Sequence, residues 1–172
     1  KSFRTFSVYG LVSKGFSPPT TTELLPSTSV INKELQAEWG WNYEFGIRGG
    51  AFSNRLWYDL NFFYFRLQDA IVQRRDASGA DYFENAGSTK QYGFEALVKY
   101  ALLTGSTGNH ANWKLQYWGS YAMHPFKYDQ YKSITSDFNG NYIPGVAKQV
   151  FSSGLDLQGP KEIQAHITYQ YV

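Results

Sequence analysis

"EWGWNYEFGIR", residues 38–48, sends Trp39, Trp41, Tyr43, Phe45 and Ile47 to one parity and Glu38, Gly40, Asn42, Glu44, Gly46 and Arg48 to the other. A helix, with its period of 3.6, would scatter the five large groups around its axis; a strand places alternate residues on opposite faces. The stretch is therefore a strand with one face suited to an apolar neighbour and one suited to water or hydrogen-bond partners. A soluble antiparallel sandwich and a membrane barrel both contain such ribbons, so the choice rests on the rest of the chain.

The alternation recurs. Residues 4–14 offer Phe6, Val8, Gly10 and Val12 against Thr5, Ser7, Tyr9, Leu11 and Ser13, which leaves the facing open. Residues 55–69 set Leu56, Tyr58, Leu60, Phe62 and Tyr64 against Trp57, Asp59, Asn61, Phe63 and Phe65, and residues 90–100 set Tyr92, Phe94, Ala96, Val98 and Tyr100 against Gln91, Gly93, Glu95, Leu97 and Lys99. Leu115, Tyr117, Gly119, Tyr121 and Met123 follow, then Phe151, Ser153, Leu155 and Leu157. Last come Ile163, Ala165, Ile167, Tyr169 and Tyr171, opposed by Glu162, Gln164, His166, Thr168 and Gln170. The reading is all-β: an antiparallel up-and-down meander of about seven long strands, most near the 9–11 residues that cross a bilayer at a tilt.

Aromatic residues make up 19% of the chain, with 14 Tyr, 13 Phe and 5 Trp. Such rings suit a surface at a water boundary. No apolar run approaches the roughly 20 residues of a membrane helix, and a barrel leaves no such run because only every second residue meets lipid. The formal charge is +2, with Lys and Arg dispersed, so no nucleic-acid footprint is present. Cysteine is absent, which excludes disulfides and thiolate metal sites. No signal-type segment opens the chain, so a leader is expected to have been removed or the chain to be an excerpt.

The connections read alternately long and short: long near 15–37, short at 49–54, long near 72–86, intermediate at 101–112, long near 125–144 and short at 158–161. In an antiparallel meander every second connection lies at the same end. Long and short connections thus segregate, as in outer-membrane barrels with long external loops and short periplasmic turns.

Several stretches resemble the C-terminal barrel half of TonB-dependent outer-membrane receptors. "YGLVSKGFSPPTTTEL" (9–24) is similar to that family's strand-then-loop signature, in which a strand ends at Gly-Phe and the loop begins with Pro-Pro and soon reaches Glu-Leu. "LQAEWGWNYEFGIRGG" (35–50) resembles its next strand through Glu38 and the Tyr43-Glu44-x-Gly46 core. "YFENAGSTKQYGFEALVKY" (82–100) carries the Asn85-Ala86-Gly87, Gly93 and Glu95 spacing, and "YIPGVAKQVFSSGLDL" (142–157) resembles a later descending strand. Ala37 and Ala147 depart from the pattern, standing where the family often has proline.

The resemblance implies a segment of a transmembrane β-barrel of about 22 strands with a plugged lumen. On this reading residues 1–172 are a partial β-barrel domain, with the plug domain and remaining barrel strands outside this chain. The implied function is energised uptake of a ferric siderophore or similar scarce nutrient across the bacterial outer membrane, with this chain supplying barrel wall and extracellular ligand-binding loops. Implied partners are outer-membrane lipid, a metal chelate or other small nutrient, the plug domain and an energy-coupling protein, and not nucleic acid. Trp39, Trp41, Tyr43, Phe45 and Ile47 would face lipid; Glu38, Asn42, Glu44 and Arg48 would face the lumen or plug.

No catalytic set, cofactor motif or metal site emerges. His110, His124 and His166 are too far apart for local ligand spacing, and no H-E-x-x-H, G-x-S-x-G, P-loop or G-x-G-x-x-G string occurs. Residues 137–141 ("DFNGN") space oxygens as the start of a calcium loop does but lack its closing glutamate, and Asn-Gly reads as a turn. Glu44 and Glu95 read as lumen carboxylates pairing with Arg48, Lys99 or plug groups rather than as an acid–base pair. The candidate ligand-binding residues lie in the long connections: Arg74, Arg75 and Tyr82, and Lys127, Tyr128 and Tyr131 with Lys132, whose cations and rings suit an anionic aromatic chelate. The rival reading is a soluble antiparallel β-sandwich that binds carbohydrate, with Trp39, Trp41 or Trp57 stacking on sugar rings; a small closed adhesin-type or enzyme-type barrel is a third.

Overall fold

A computed structural model describes residues 5–26, 31–105, 113–132 and 136–172. The strands are β1 (Thr5–Ser17), β2 (Glu38–Ala51), β3 (Leu56–Arg75), β4 (Asp81–Thr104), β5 (Lys114–Met123), β6 (Lys127–Tyr131), β7 (Gln149–Gln158) and β8 (Gln164–Tyr171). They form one antiparallel sheet in the order β1-β2-β3-β4-β5-β7-β8, with β6 on β4. The strand at 38–48 and the meander are as the alternation requires.

β6 continues β5 along the same strand. β4 pairs β5 from Thr104 to Phe94 and β6 from Lys90 to Gly87, and the break falls at His124–Phe126. Pro125 sits in that break, where its missing N–H removes a ladder bond. The chain then folds back on β6: Tyr128 N donates to Asn141 O at 3.0 Å and Ile143 N to Phe126 O at 3.0 Å. Asn139 N donates to Asp137 Oδ1 at 2.9 Å and Gly140 has φ +75°, so residues 137–141 form a turn.

Pairing register fixes the faces, because directly opposed residues share a side of the sheet. One row runs Val8–Ile47–Leu60–Ala96–Tyr121–Phe151–Tyr171, and the next Gly10–Phe45–Phe62–Phe94–Met123. The apolar parities of all the long strands thus coincide, and β1 joins them with Phe6, Val8 and Val12, which settles its facing. Opposite lies a mixed polar face whose rows include Ser7–Arg48–Asp59–Leu97–Ser120–Ser152–Gln170.

Among the described residues nothing covers the apolar face. Among the described residues Leu35, in the β1–β2 connection, is the buried hydrophobic side chain, while Phe6 is 69% and Ile167 67% exposed. The surface is 11827 Å², against about 8,600 Å² expected for a compact monomer of this mass. A sandwich would bury one face of each of two sheets; this single layer rules that arrangement out, and Trp57 lies with Lys99 on the polar face, apart from Trp39 and Trp41.

The polar face is furnished by rings lying across glycines. Gly46 opposes Tyr9, and a Cβ added there would stand 2.1 Å from the Tyr9 ring; one added at Gly93 would meet the Phe63 ring at 2.6 Å. The two glycines of the Tyr43-Glu44-x-Gly46 and Gly93-x-Glu95 patterns are thus seats for a neighbouring strand's ring.

One expectation fails. Residues 72–86 are not a long loop: β3 runs to Arg75, β4 resumes at Asp81, and a tight turn at 76–80 joins them. The 20-residue β3 and 24-residue β4 outrun β2, whose pairing ends at Trp39↔Gln68, and project as a two-stranded finger. Its base is bulged at Leu67–Ile71, with Asp69 at φ 54°. β2 secures that bulge, since Trp39 Nε1 donates to Asp69 Oδ2 at 2.6 Å and Ile71 N to Glu38 Oε1 at 2.7 Å.

The finger shares its end of the sheet with the β1–β2 connection. There Pro18-Pro19 leads into a single helical turn, α1 (Thr21–Leu24), closed by a capping box in which Thr20 N donates to Glu23 Oε2 at 2.6 Å. At the opposite end the described turns are tight, at 52–55 and 159–163. The middle of the β4–β5 connection, including His110, lies outside the described residues.

Candidate ligand-binding loops

The finger and the β6 hairpin bring part of the expected set together. Arg74 Nε donates to Glu84 Oε1 at 2.7 Å, a second guanidinium nitrogen donates to Lys132 O, and the guanidinium carbon lies 5.5 Å from the Tyr131 ring centroid. Tyr131 stands 4.8 Å from Tyr128 and 5.3 Å from Phe138, centroid to centroid. Tyr128 and Tyr131 oppose Thr89 and Gly87, which places them on the polar face. Arg74, Tyr128, Tyr131 and Phe138 therefore form one aromatic-cationic cluster at the loop end.

The remaining candidates are elsewhere. Arg75 pairs with Asp81 at 2.9 Å near the finger tip and is largely exposed. Tyr82 lines a cleft with Ile31, Lys33, Glu34 and Phe83, beneath the β1–β2 connection. That connection is anchored there by Asn85, whose amide donates to Gln36 O at 2.9 Å and whose Oδ1 accepts from Gln36 N at 2.7 Å. Lys127 opposes Lys90 on the apolar-face parity, and its ammonium lies 4.9 Å from the Tyr142 ring centroid. Lys132 pairs with Asp137 at 3.3 Å. The set is thus divided among several environments rather than gathered in one.

Phe138, Glu84, Asp129 and Tyr142 were not marked in the sequence, because each acquires its meaning from a cross-strand partner. Asp129 illustrates this: it accepts from Arg66 at 3.1 Å and also pairs with Lys90, joining three strands.

The turns are held by carboxylates. Asp76 Oδ1 accepts from Ser78 Oγ at 2.6 Å, Ser78 N at 2.8 Å and Ala80 N at 2.9 Å. The Ser78 hydroxyl, followed by the Ala80 amide, holds the Asp76 carboxyl below its ordinary range. The Asn139 amide, with Lys132 nearby, does the same for Asp137.

The wall carboxylates do not pair along their own strands. Four residues in a strand span about 13 Å, too far for Glu44 to reach Arg48 or Glu95 to reach Lys99. Glu44 Oε1 instead accepts from Asn42 at 2.6 Å, Glu95 meets His124 Nε2 at 3.2 Å, and the Arg48 guanidinium lies 4.9 Å from the Tyr9 ring centroid. Among the described residues no cluster of three or more His, Asp or Glu side chains could hold a metal ion.

Comparison with solved structures returns two transporters and an outer membrane receptor. The copper transporter OprC is 19% identical, with a TM-score of 0.67 over 96% of this chain and 23% of its own. The RagAB peptide transporter is 13% identical, with a TM-score of 0.68 over 99% of this chain and 26% of that one. The pyoverdine outer membrane receptor FpvA from Pseudomonas aeruginosa PAO1, bound to pyoverdine, is 16% identical, with a TM-score of 0.50 over 96% and 26%. This chain therefore spans about a quarter of their length. No curated protein sequence matches it. The family described as TonB dependent receptor-like, beta-barrel, matches residues 3–171. With the meander, its register and this match in agreement, the chain belongs to the TonB-dependent receptor β-barrel family.

Proposed function

We propose that residues 1–172 are a partial β-barrel domain of an outer-membrane receptor that takes up a ferric siderophore or a similar scarce nutrient, driven by an energy-coupling protein through a plug domain. The observation that carries this reading is the uncovered apolar face, in register from β1 to β8. A sheet at membrane depth must pair every backbone group by closing on further strands, and side chains such as Phe6, Phe62 and Ile167 need hydrocarbon where the fold gives them no second layer.

The polar face supports the plug. Asn61 Oδ1 is buried without a hydrogen-bond partner, among Tyr9, Asp59 and Glu95. Tyr9, Asp59 and Glu95 line an open concavity there, whose phenol and carboxylates a lumen-filling segment would meet with donors of its own. At the loop end, the Arg74–Tyr131–Tyr128–Phe138 cluster faces the same side and offers a surface of rings to an aromatic chelate. Arg74 is already engaged by Glu84 and Lys132, so it orients Tyr131, and the Tyr128, Tyr131 and Phe138 rings are the contact surface. Arg75, Tyr82 and Lys127 belong to the loop surface without sharing that cluster. Copper, peptide and pyoverdine, named for the three solved structures, differ in chemistry, which supports a reading in which the loops rather than the wall choose the ligand.

The scheme makes and breaks no bond. It is tested by uptake of radiolabelled ferric hydroxamate and catecholate chelates into cells with the intact receptor, without it, and without the energy-coupling protein. Uptake of a chelate only in the first is expected, and a Tyr131→Ala, Phe138→Ala variant should lose affinity while still assembling. Uptake equal in all three would overturn the proposal.

A further inference from the structure

The Asn85-Ala86-Gly87 stretch lies where the finger leaves the sheet. β2 ends its pairing with β3 at Trp39↔Gln68 and β6 ends its pairing with β4 at Gly87↔Tyr131, so among the described residues the finger beyond them has only its own ladder. The register also slips twice at this root, between Leu67 and Ala70 and between Ala70 and Ile71. Side chains replace the missing ladder, and Asn85 carries the largest share. Its amide nitrogen donates to Gln36 O at 2.9 Å and to Asp69 O at 2.6 Å, while its Oδ1 accepts from Gln36 N at 2.7 Å. The side-chain amide thus meets the Gln36 backbone as a facing strand residue would, and bonds across the bulge at the same time.

We propose that Asn85 is a positioning residue for ligand capture: by bonding the β1–β2 connection and the bulge together it fixes where the finger stands, and through the finger where Arg74 holds Tyr131. The proposal rests on the uptake reading of the ring cluster. The path from Asn85 to the rings is short. Gly87, two residues along β4, is directly opposite Tyr131. On the other strand of the finger Arg74 donates to Lys132 O, with its guanidinium carbon 5.5 Å from the Tyr131 ring centroid. A rotation of the finger at its bulged root carries Arg74 relative to Tyr131, while the laddered wall below stays in place.

Other side chains brace the same seam, with narrower reach. Asn32 Nδ2 donates to Phe83 O at 2.9 Å, which ties the connection to β4, and Glu38 accepts from Ile71 N at 2.7 Å, which ties β2 to β3. Asn85 joins both finger strands to the connection. Its residue type suits that duty, because two donors and an acceptor on one short planar group are what asparagine supplies. An aspartate has the same size but would turn an oxygen toward Gln36 O and Asp69 O, where it has nothing to accept.

The experiment places nitroxides in the intact receptor at Lys33→Cys, in the β1–β2 connection, and Gln130→Cys, in the β6 hairpin, and reads their separation in lipid vesicles by pulsed electron–electron double resonance. Uptake of radiolabelled ferric hydroxamate and catecholate chelates by cells is measured beside it, without the labels. The wild type should give one narrow distance distribution. Asn85→Asp should broaden it and raise the chelate concentration at half-maximal uptake about tenfold, as expected for one or two lost hydrogen bonds, with the maximal rate unchanged. Asn85→Ala, which removes the bonds without adding charge, should act in the same direction. Asn54→Asp, the same chemical change at the turn end, should alter neither quantity. Unchanged distances, an unchanged half-maximal concentration, or an Asn54→Asp effect of equal size would each overturn the inference. A wild type that takes up neither chelate overturns the uptake reading instead, and the distances alone then decide whether Asn85 positions the finger. Heat-shifted electrophoretic mobility confirms that each variant is folded before comparison.

Discussion

The two faces of this sheet are stabilised in different ways. On the polar face, rings sit on glycines, carboxylates find amides and imidazoles, and much of the packing partner is supplied by the chain itself. On the apolar face Phe6, Val8, Phe62 and Ile167 have neighbours within the row and, among the described residues, nothing above them. In a water-soluble protein the second face would be a liability; in a barrel wall it is where hydrocarbon completes the fold. The contrast teaches that stability here depends on solvent identity on one side and on local complementarity on the other.

The largest expected break in that contrast comes from placing a charge on each side. Leu60→Arg, in the middle of the apolar rows, should cost about 2–4 kcal/mol in lipid, whereas Asn42→Arg on the polar face should cost less than about 1 kcal/mol. Urea titrations of receptor folded into vesicles would read the difference, and equal costs would remove the distinction. Next is Gly93→Ala, which forces the Phe63 ring and Met123 O from a Cβ at 2.6 Å. A loss of about 1–3 kcal/mol by the same titration is expected, with Gly15→Ala in β1 costing nothing measurable because its surroundings are open and its φ is not in the left-handed region.

Smaller effects separate the finger's two arginines. Arg74→Ala removes a largely buried guanidinium from Glu84, Lys132 and Tyr131, so amide exchange in residues 70–75 and 81–86 should quicken several-fold, for a loss of about 1 kcal/mol. Arg75→Ala, exposed and paired with Asp81, should change exchange within measurement scatter.

The smallest effect is one of pH. Asp76 and Asp137 have carboxyls held below their ordinary range, so each stabilises its turn above the unfolded-state pKa, and that contribution is lost as pH falls through the lower folded-state value. Exchange at the Ser78, Ala80 and Asn139 amides should rise only on such acidification, after correction for intrinsic rates, and Asp76→Asn should abolish the dependence at the first two.

The wall was legible because its signal has a period of two and needs no partner. Trp39 to Ile47, Leu56 to Tyr64 and Tyr92 to Tyr100 each declare a face, and only β1 required its register with β2 to be oriented. The finger was not legible. "QRRDASGADYFE" is polar and contains a glycine, and its strands are held by pairs such as Arg74↔Tyr82 and Arg75↔Asp81 that leave no alternation. Pro125 likewise hid β6, and Lys127 read as a loop cation because its neighbour Lys90 is distant in sequence. The candidate site was therefore read by residue type in two loop stretches; the structure brings Arg74, Tyr128 and Tyr131 into one cluster and leaves Arg75, Tyr82 and Lys127 apart from it. A third of that cluster's rings, Phe138, depends on a hairpin the sequence did not announce.

The account stands on hydrocarbon meeting the apolar parity. The chain contains no cysteine, so a single nitroxide can be placed in the intact receptor, where this segment is concerned, at Phe45→Cys or at Asn42→Cys. In lipid vesicles the Phe45 label should relax with dissolved oxygen and ignore a water-soluble nickel chelate, and the Asn42 label should do the reverse. A Phe45 label that responds to the nickel chelate as strongly as the Asn42 label would contradict the account.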